Sequence, residues 1–144
     1  VTLTGELSRE GVYRFLHREA DVYVSASHGE GMPMAPLEAM ATGCPVILSD
    51  IPPHREIAEG TDFIPLVAVD DAEGFAREIE TFQAMSAGER RAIGAQCRRV
   101  VEERFSLQHM HDGYDHVYYD VLEQETSVVT PEDERQLRPS AAVT

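Results

Sequence analysis

Glu30 and Glu38 stand eight residues apart around the start of a predicted helix, and their carboxylates are the groups best placed for chemistry. Glu30 falls in a loop and Glu38 in the first or second turn of the helix, so the two can face different parts of one elongated ligand. A carboxylate in such a turn can accept hydrogen bonds from a ribose diol, as an acidic residue does in dinucleotide sites. The pair is therefore a candidate site for a nucleotide-containing ligand.

The start of the same helix offers backbone donors. Three amides are expected to be free there, those of Met34, Ala35 and Leu37. Free amides and the helix dipole together favour a phosphate at a helix N-terminus. Pro33 and Pro36 lack N–H groups where a helix tolerates that loss, and Gly31 lets the backbone approach a ligand closely.

These residues also have a purely structural interpretation. Two glutamates eight apart carry no meaning by themselves in an acidic chain, and Glu38 can simply complement the helix dipole. The nearby methionines can be core side chains, namely Met32, Met34 and Met40. The residue types alone leave both interpretations open.

The elements that must position the pair alternate between strands and helices. Ser8 is a predicted N-cap for a helix over 9–19, and Gly43 is a predicted left-handed residue after the helix over 35–42. Strands are predicted over 1–4, 21–25, 46–48 and 63–67, and further helices over 53–58, 70–85, 86–104 and 106–123, the last two with Ser86 and Ser106 as candidate caps. This order predicts an α/β fold, a Rossmann-like parallel sheet with helices on both faces, whose ligand lies beyond the carboxyl ends of the strands.

Charge excludes some classes of partner. The net charge is −14, and all 12 basic residues are arginine. A nucleic-acid binder needs a basic patch, so nucleic acid is not an expected partner, and anionic membrane surfaces are disfavoured. A surface adapted to high salt explains the 26 acidic residues better than a high-GC genome does.

The cysteines and the first residues of the sequence bear on the cellular compartment and on where in the protein the sequence begins. Cys44 and Cys97 are expected to be reduced, buried thiols, which fits the cytoplasm. The sequence has no run of 18 or more apolar residues, so no transmembrane helix is predicted. Residues 1–5 do not resemble a signal peptide. They are typical of an interior strand, so we expect the sequence to begin in mid-protein.

The run from Glu30-Gly31-Met32-Pro33 through Leu37-Glu38-Ala39-Met40-Ala41-Thr42-Gly43-Cys44-Pro45-Val46-Ile47 closely resembles the E-x7-E signature of the large family-4 glycosyltransferases. The preceding residues 20–27, the following Ser49-Asp50 and the trio Arg55-Glu56-Ile57 are also similar to that family. The resemblance covers roughly residues 1–122. It implies the C-terminal, donor-binding half of a retaining glycosyltransferase of the two-Rossmann-domain (GT-B) type.

The resemblance also implies roles for single residues. Glu38 would bind the ribose hydroxyls, and Glu30, the catalytic candidate, would face the donor sugar near its anomeric centre. Donor contacts would come from Gly31, Met32, Pro33, Met34, Ala35 and Leu37. Further candidate contacts are His28, Gly5, Glu6 and Leu7. No cofactor or metal is expected, and the substrate would be a UDP-, GDP- or ADP-sugar.

The resemblance implies an organisation in three parts. Residues 1–105 would be a partial Rossmann-like nucleotide-sugar-binding domain, 106–124 a helix packing back across the domains, and 125–144 a disordered acidic tail. An upstream Arg and Lys that contact the diphosphate in the family are missing, as is the acceptor-binding N-terminal Rossmann domain. We therefore expect an N-terminally truncated hexosyltransferase, inactive alone, cytoplasmic or peripheral at a membrane through the missing domain.

Two alternatives stay open. The chain can be a non-catalytic nucleotide-sugar-binding subunit, or degenerate fragment, that needs a partner chain. It can also be part of a glycogen- or trehalose-pathway synthase, which would differ in its acceptor only.

Overall fold

The computed structural model of this chain describes residues 3–128, with side chains described through residue 123. The chain divides into two compact units between Phe105 and Ser106. The described elements are α1 (Arg9–Arg18), β1 (Tyr23–Ser25), α2 (Met34–Ala41), β2 (Val46–Ser49), α3 (Pro52–Ala58), β3 (Leu66–Val67), α4 (Ala72–Ala84), α5 (Ala87–Arg104) and α6 (Leu107–Val128).

The first unit is built on a parallel sheet with the strand order β1-β2-β3. Successive side chains of a strand point to opposite faces, so the central strand β2 contributes to two cores. Val46 and Leu48 pack in one cluster with residues of α1, α2, α3 and α5. Ile47 packs in the other with Phe82 of α4. Helices therefore cover both faces, which confirms the predicted Rossmann-like α/β fold.

Local sequence signals define several helix ends as predicted. The Ser8 hydroxyl accepts a hydrogen bond from the Gly11 amide at 3.2 Å and caps α1. Ser86 and Glu89 form a reciprocal capping box at the start of α5. Gly43 follows α2 with a φ of +81°, a conformation that costs glycine little.

Helix α2 is short and largely buried, which explains why it is apolar on almost every side. Its buried residues are Pro36, Leu37, Ala39 and Met40. Met40 is therefore a core residue, as its structural interpretation predicted. The same prediction is wrong for Met32 and Met34, which are 58% and 53% exposed. The buried Leu37 side chain leaves only the backbone of that residue for a ligand.

Some predicted strands are shorter than expected or do not form. The prediction of a strand over 1–4 is wrong for Leu3 and Thr4, because both lie outside any strand. Residues 1 and 2 lie outside the described residues. Leu3 is 92% exposed. An isolated apolar stretch cannot form a strand without a neighbour to pair its backbone, and neither residue pairs with β1, β2 or β3.

Helix α6 belongs to the second unit and carries a row of exposed apolar side chains: Leu107, Met110, Tyr114, Val117, Tyr118 and Val121. Its backbone continues to Val128, so residues 125–128 of the expected disordered tail are helical. Residues 129–144 of that tail lie outside the described residues. No helix in the described part combines the length and apolar character needed to cross a membrane.

Candidate functional site

Residues at the carboxyl ends of β1 and β2 are joined by hydroxyl hydrogen bonds. The Ser49 hydroxyl, at the end of β2, donates to the carbonyl oxygen of Ser27 at 2.6 Å. The hydroxyl oxygens of Ser25 and Ser27 lie 3.2 Å apart. These contacts attach the loop between β1 and α2 to the sheet edge where α/β folds bind their ligands.

Glu30 lies in this loop with an exposed side chain. One carboxylate oxygen, Oε1, accepts a hydrogen bond from the Ser27 hydroxyl at 2.7 Å. A hydrogen bond to a charged acceptor is stronger than a neutral one, so Ser27 restrains the carboxylate. Within the described residues, no hydrogen bond to Oε2 of Glu30 is found, which leaves this oxygen open to a ligand.

Ser27 and Ser49 were not predicted as site residues, although both lie in segments that resemble the family. The available signal was their position in the sequence, since both are small hydroxyl residues at or just beyond the carboxyl end of a strand. Such residues can bond the backbone of a neighbouring loop, but the sequence does not say which loop is adjacent.

Glu38, in the second turn of α2, is held by two residues of α1. The Tyr13 hydroxyl donates to Oε1 of Glu38 at 2.8 Å, and a guanidinium nitrogen (Nη2) of Arg9 lies 3.3 Å from the same oxygen. Arg9 Nε also donates to the Tyr13 hydroxyl at 2.7 Å, which is the main reason that the pKa of Arg9 is raised. The Glu38 side chain remains 31% exposed.

Neither Arg9 nor Tyr13 was predicted as a site residue. They lie 29 and 25 residues from Glu38, on a different helix. Their spacing of four placed them on one face of α1, but only the packing of α1 beside α2 brings that face to the carboxylate.

The amide donors at the start of α2 differ from the prediction. The Met34 amide donates to the carbonyl oxygen of Met32 at 2.9 Å, and the Leu37 amide reaches that of Pro33 at 3.5 Å. The expectation that both would be free is therefore wrong. A tight turn precedes the helix, and Pro33 is the N-cap whose carbonyl accepts the first helical bond. Among the described residues, no acceptor is found for the exposed Ala35 amide.

The glycines of the loop stand in open space. A Cβ added at Gly29 or Gly31 would meet no atom within 4 Å, and neither residue has a positive φ. Neither backbone conformation nor internal packing therefore requires glycine at these positions. The exposed backbone at Gly31 leaves room for a ligand to approach.

His28 joins this loop to the turn after β3. Its Nε2 lies 3.0 Å from Oδ1 of Asp70, and both side chains are exposed. Asp70 has a φ of +67°, and no other non-glycine residue in the described part has a positive φ. Asp tolerates this left-handed conformation better than most residues, yet sequence reasoning placed Asp70 at a helix start.

The beginning of α3 adds two contacts at the end of β2. His54 is fully buried, and its Nδ1 lies 2.9 Å from the carbonyl oxygen of Ser49. Its Nε2 is buried without a hydrogen-bond partner in the described structure. Arg55 forms a two-point pair with Asp50, and its hydrogen bond is the main cause that lowers the pKa of Asp50.

Other predicted positions lie apart from these contacts. Gly5, Glu6 and Leu7 are exposed, and no hydrogen bond joins them to the motif loop in the described part of the chain. Gly5 has a φ of +66°. The described residues contain no group of three or more His, Cys, Asp or Glu side chains that could hold a metal ion.

Known proteins resemble this chain over most of its length. Residues 1–84 match the family model described as glycosyl transferases group 1. The chain is 31% identical over 106 residues to the lipopolysaccharide core biosynthesis mannosyltransferase LpcC of Rhizobium leguminosarum bv. viciae, covering 74% of this chain and 30% of LpcC. It is also 35% identical over 113 residues to EpsD of Bacillus subtilis (strain 168), provisionally named a glycosyltransferase. That match covers 76% of this chain and 29% of EpsD. The chain thus spans less than a third of the length of these relatives.

Proposed function

The chain belongs to the glycosyl transferases group 1 family, and on this premise we propose that it is the donor-binding portion of a retaining glycosyltransferase. The complete protein would transfer a sugar, of the hexosyl type, from a nucleoside diphosphate sugar to an acceptor hydroxyl. One observation carries the proposal. Glu30 and Glu38 each have Oε1 restrained by a hydroxyl group, at 2.7 and 2.8 Å, while no hydrogen bond from the described residues reaches either Oε2.

Glu38 is the proposed ligand of the ribose. Its open oxygen can accept hydrogen bonds from the ribose hydroxyls, and a carboxylate acceptor is stronger than a neutral one. Restraint by Tyr13 and Arg9 means that little side-chain freedom is lost on binding.

The start of α2 and the open backbone around Gly31 are proposed to hold the diphosphate and the sugar. The free Ala35 amide and the helix dipole favour negative charge there. Because the chain spans about 30% of LpcC, further basic contacts are proposed to come from other parts of a longer protein.

Glu30 is the proposed catalytic residue, facing the hydroxyls of the donor sugar near the anomeric centre. The leaving nucleoside diphosphate gains negative charge as the glycosidic bond breaks, and fixed dipoles can stabilise that charge without a metal. The acceptor site is proposed to lie in a separate Rossmann domain. The 144-residue chain is accordingly proposed to be inactive alone and cytoplasmic, with membrane contact only through that other domain.

A second candidate function is a non-catalytic nucleotide-sugar-binding subunit that requires a partner chain. An assay of the complete protein that carries this chain, with an acceptor mixture and with UDP-, GDP- and ADP-sugars, distinguishes this alternative from the proposed glycosyltransferase. Release of a nucleoside diphosphate without a partner subunit would exclude the alternative.

Calorimetric titration of the chain with UDP, GDP and ADP, in high salt, tests the donor site directly. We expect one nucleotide to bind, and we expect Glu38→Ala to weaken it by about tenfold to a hundredfold because a charge-assisted hydrogen bond is lost. Glu10→Ala, which removes an exposed glutamate that forms an ion pair with Arg14, is the matched control. Binding of none of the three, or binding indifferent to Glu38, would contradict the proposal.

A further inference from the structure

We propose that Tyr13 is a positioning residue that makes Glu38 selective for ribose over 2′-deoxyribose. This inference rests on the proposed function, because it assumes that Glu38 contacts a nucleotide. Tyr13 lies on α1, outside the motif, and touches the carboxylate through its hydroxyl at 2.8 Å.

The direction of the Tyr13 hydroxyl hydrogen follows from its partners. A phenol has one O–H to donate and an oxygen that can accept. Arg9 Nε donates to this oxygen at 2.7 Å, and its guanidinium lies 5.4 Å from the ring centroid. Since the oxygen is an acceptor toward Arg9, its hydrogen is directed to Oε1 of Glu38.

The two donors occupy one side of the carboxylate. A carboxylate has about four acceptor positions, two on each oxygen. Tyr13 Oη and Arg9 Nη2 both approach Oε1, at 2.8 and 3.3 Å, so its positions are filled. In the described part of the chain no group donates to Oε2, so this oxygen keeps both of its positions for the two adjacent hydroxyls of a ribose.

The helix that carries Tyr13 is capped at its start and packs against the core. Ser8 caps α1, Leu16 is buried in the core, and Val12 packs against the same core. Tyr13 is itself half-buried. The hydroxyl is therefore held in position by the fold, and Glu38 is oriented before a ligand arrives.

Loss of the Tyr13 hydroxyl should change selectivity as well as affinity. In Tyr13→Phe the ring remains, but Oε1 is partly freed and the carboxylate can rotate. A rotated carboxylate no longer presents Oε2 to both hydroxyls, so the ribose contributes less. We expect the Kd of the ribonucleotide to rise about three- to tenfold, with a smaller change for the 2′-deoxynucleotide.

The experiment measures Kd by calorimetry for whichever of UDP, GDP and ADP binds best and for its 2′-deoxy counterpart. The variants are the native chain, Tyr13→Phe, Glu38→Gln and the double variant. Arg9→Gln, at a side chain 78% exposed, is a second test that leaves the Tyr13 ring in place. Tyr119→Phe, which removes the hydroxyl of an exposed tyrosine on α6, is the matched control. Melting temperatures check that every variant is folded.

Three outcomes are distinguishable. The inference is supported if Tyr13→Phe lowers the ratio of the 2′-deoxynucleotide Kd to the ribonucleotide Kd and Tyr119→Phe does not. The effects of Tyr13→Phe and Glu38→Gln should also not be additive in the double variant. Native selectivity in both Tyr13→Phe and Arg9→Gln, with weaker binding in Glu38→Gln, overturns the role of Tyr13 and leaves the proposed function standing. No nucleotide binding by the native chain, or binding unaffected by Glu38→Gln, overturns the proposed function and this inference with it.

Discussion

Gly94 of α5 lies directly against the backbone of Gly43, which follows the C-cap residue of α2. A Cβ at position 94 would overlap the carbonyl oxygen of Gly43, lie 2.9 Å from its carbonyl carbon and lie 3.4 Å from Cδ of Pro45. Gly43 has a φ of +81°, the left-handed conformation that turns the chain from α2 toward β2. The contact seats α5 on the turn between α2 and β2, and α2 carries Glu38.

Gly94→Ala is expected to destabilise the chain by about 1–3 kcal/mol, because an added methyl group would force the backbone at Gly43 to shift. Thermal and urea unfolding measure this loss. Gly88→Ala in the same helix is the matched control, since a Cβ there meets only the Ser86 hydroxyl, at 3.7 Å. Alanine should leave that position neutral or slightly more stable. Equal stability of the two variants would contradict the close packing of Gly94.

Gly31→Ala is expected to leave folding stability unchanged and to weaken binding of a nucleoside diphosphate sugar by about tenfold, or about 1.4 kcal/mol. The reason is that the added methyl group meets no protein atom within 4 Å but would occupy space proposed for the donor. Calorimetry with the sugar nucleotide and with the nucleotide alone measures the effect. Gly113→Ala on α6, also in open space, is the control. Loss of stability without loss of affinity would point to a structural role instead.

Ser27→Ala is expected to lower kcat more than it raises KM for the donor. Its hydroxyl restrains Glu30 at 2.7 Å, and a hydrogen bond to a charged group contributes about 1.5–3 kcal/mol. The assay needs the complete protein, with Glu30→Ala as reference and Ser27→Thr to restore the hydroxyl. Ser86→Ala removes a helix-capping hydroxyl far along the chain and serves as a stability control. A change in KM alone, or no rescue by threonine, would contradict this role of Ser27.

The thiols of Cys44 and Cys97 are expected to be inert in the folded chain. Burial raises the pKa of each thiol to about 11 from an ordinary value of 9.0. Only the thiolate reacts readily, so Ellman's reagent should label neither cysteine in the native chain at pH 8 and both after denaturation. Rapid labelling of the native chain would show that the core around β2 opens.

The same two thiols predict how stability depends on alkaline pH. Because the folded pKa is raised, the neutral thiols favour the folded state fully below about pH 9. That contribution is lost as the pH rises from about 9 through 11. Urea unfolding at pH 8 and pH 10.5 measures the loss, which Cys44→Ala combined with Cys97→Ala should reduce. An unchanged pH dependence in the double variant would assign the loss to other groups.

Helix caps, core strands and the motif were readable from the sequence because each depends on residues close together in the chain. Ser8, Ser86 and Gly43 act within one turn of their helix. The alternation of Val46, Ile47 and Leu48 between two faces follows from strand geometry alone. The length of strands was less predictable, because pairing partners decide where a strand ends.

The sequence by itself determined the parallel α/β arrangement and the candidate glutamates, Glu30 and Glu38, since both follow from local patterns. Only the tertiary structure decided which residues of other elements hold Glu38 and the backbone of the loop that carries Glu30. Tyr13 reaches Glu38 across 25 residues and Ser49 reaches the Ser27 carbonyl across 22, in each case between different elements. The physical reason is that a hydrogen bond depends on distances of about 3 Å, and such distances between separate elements are fixed by packing, which no local pattern encodes.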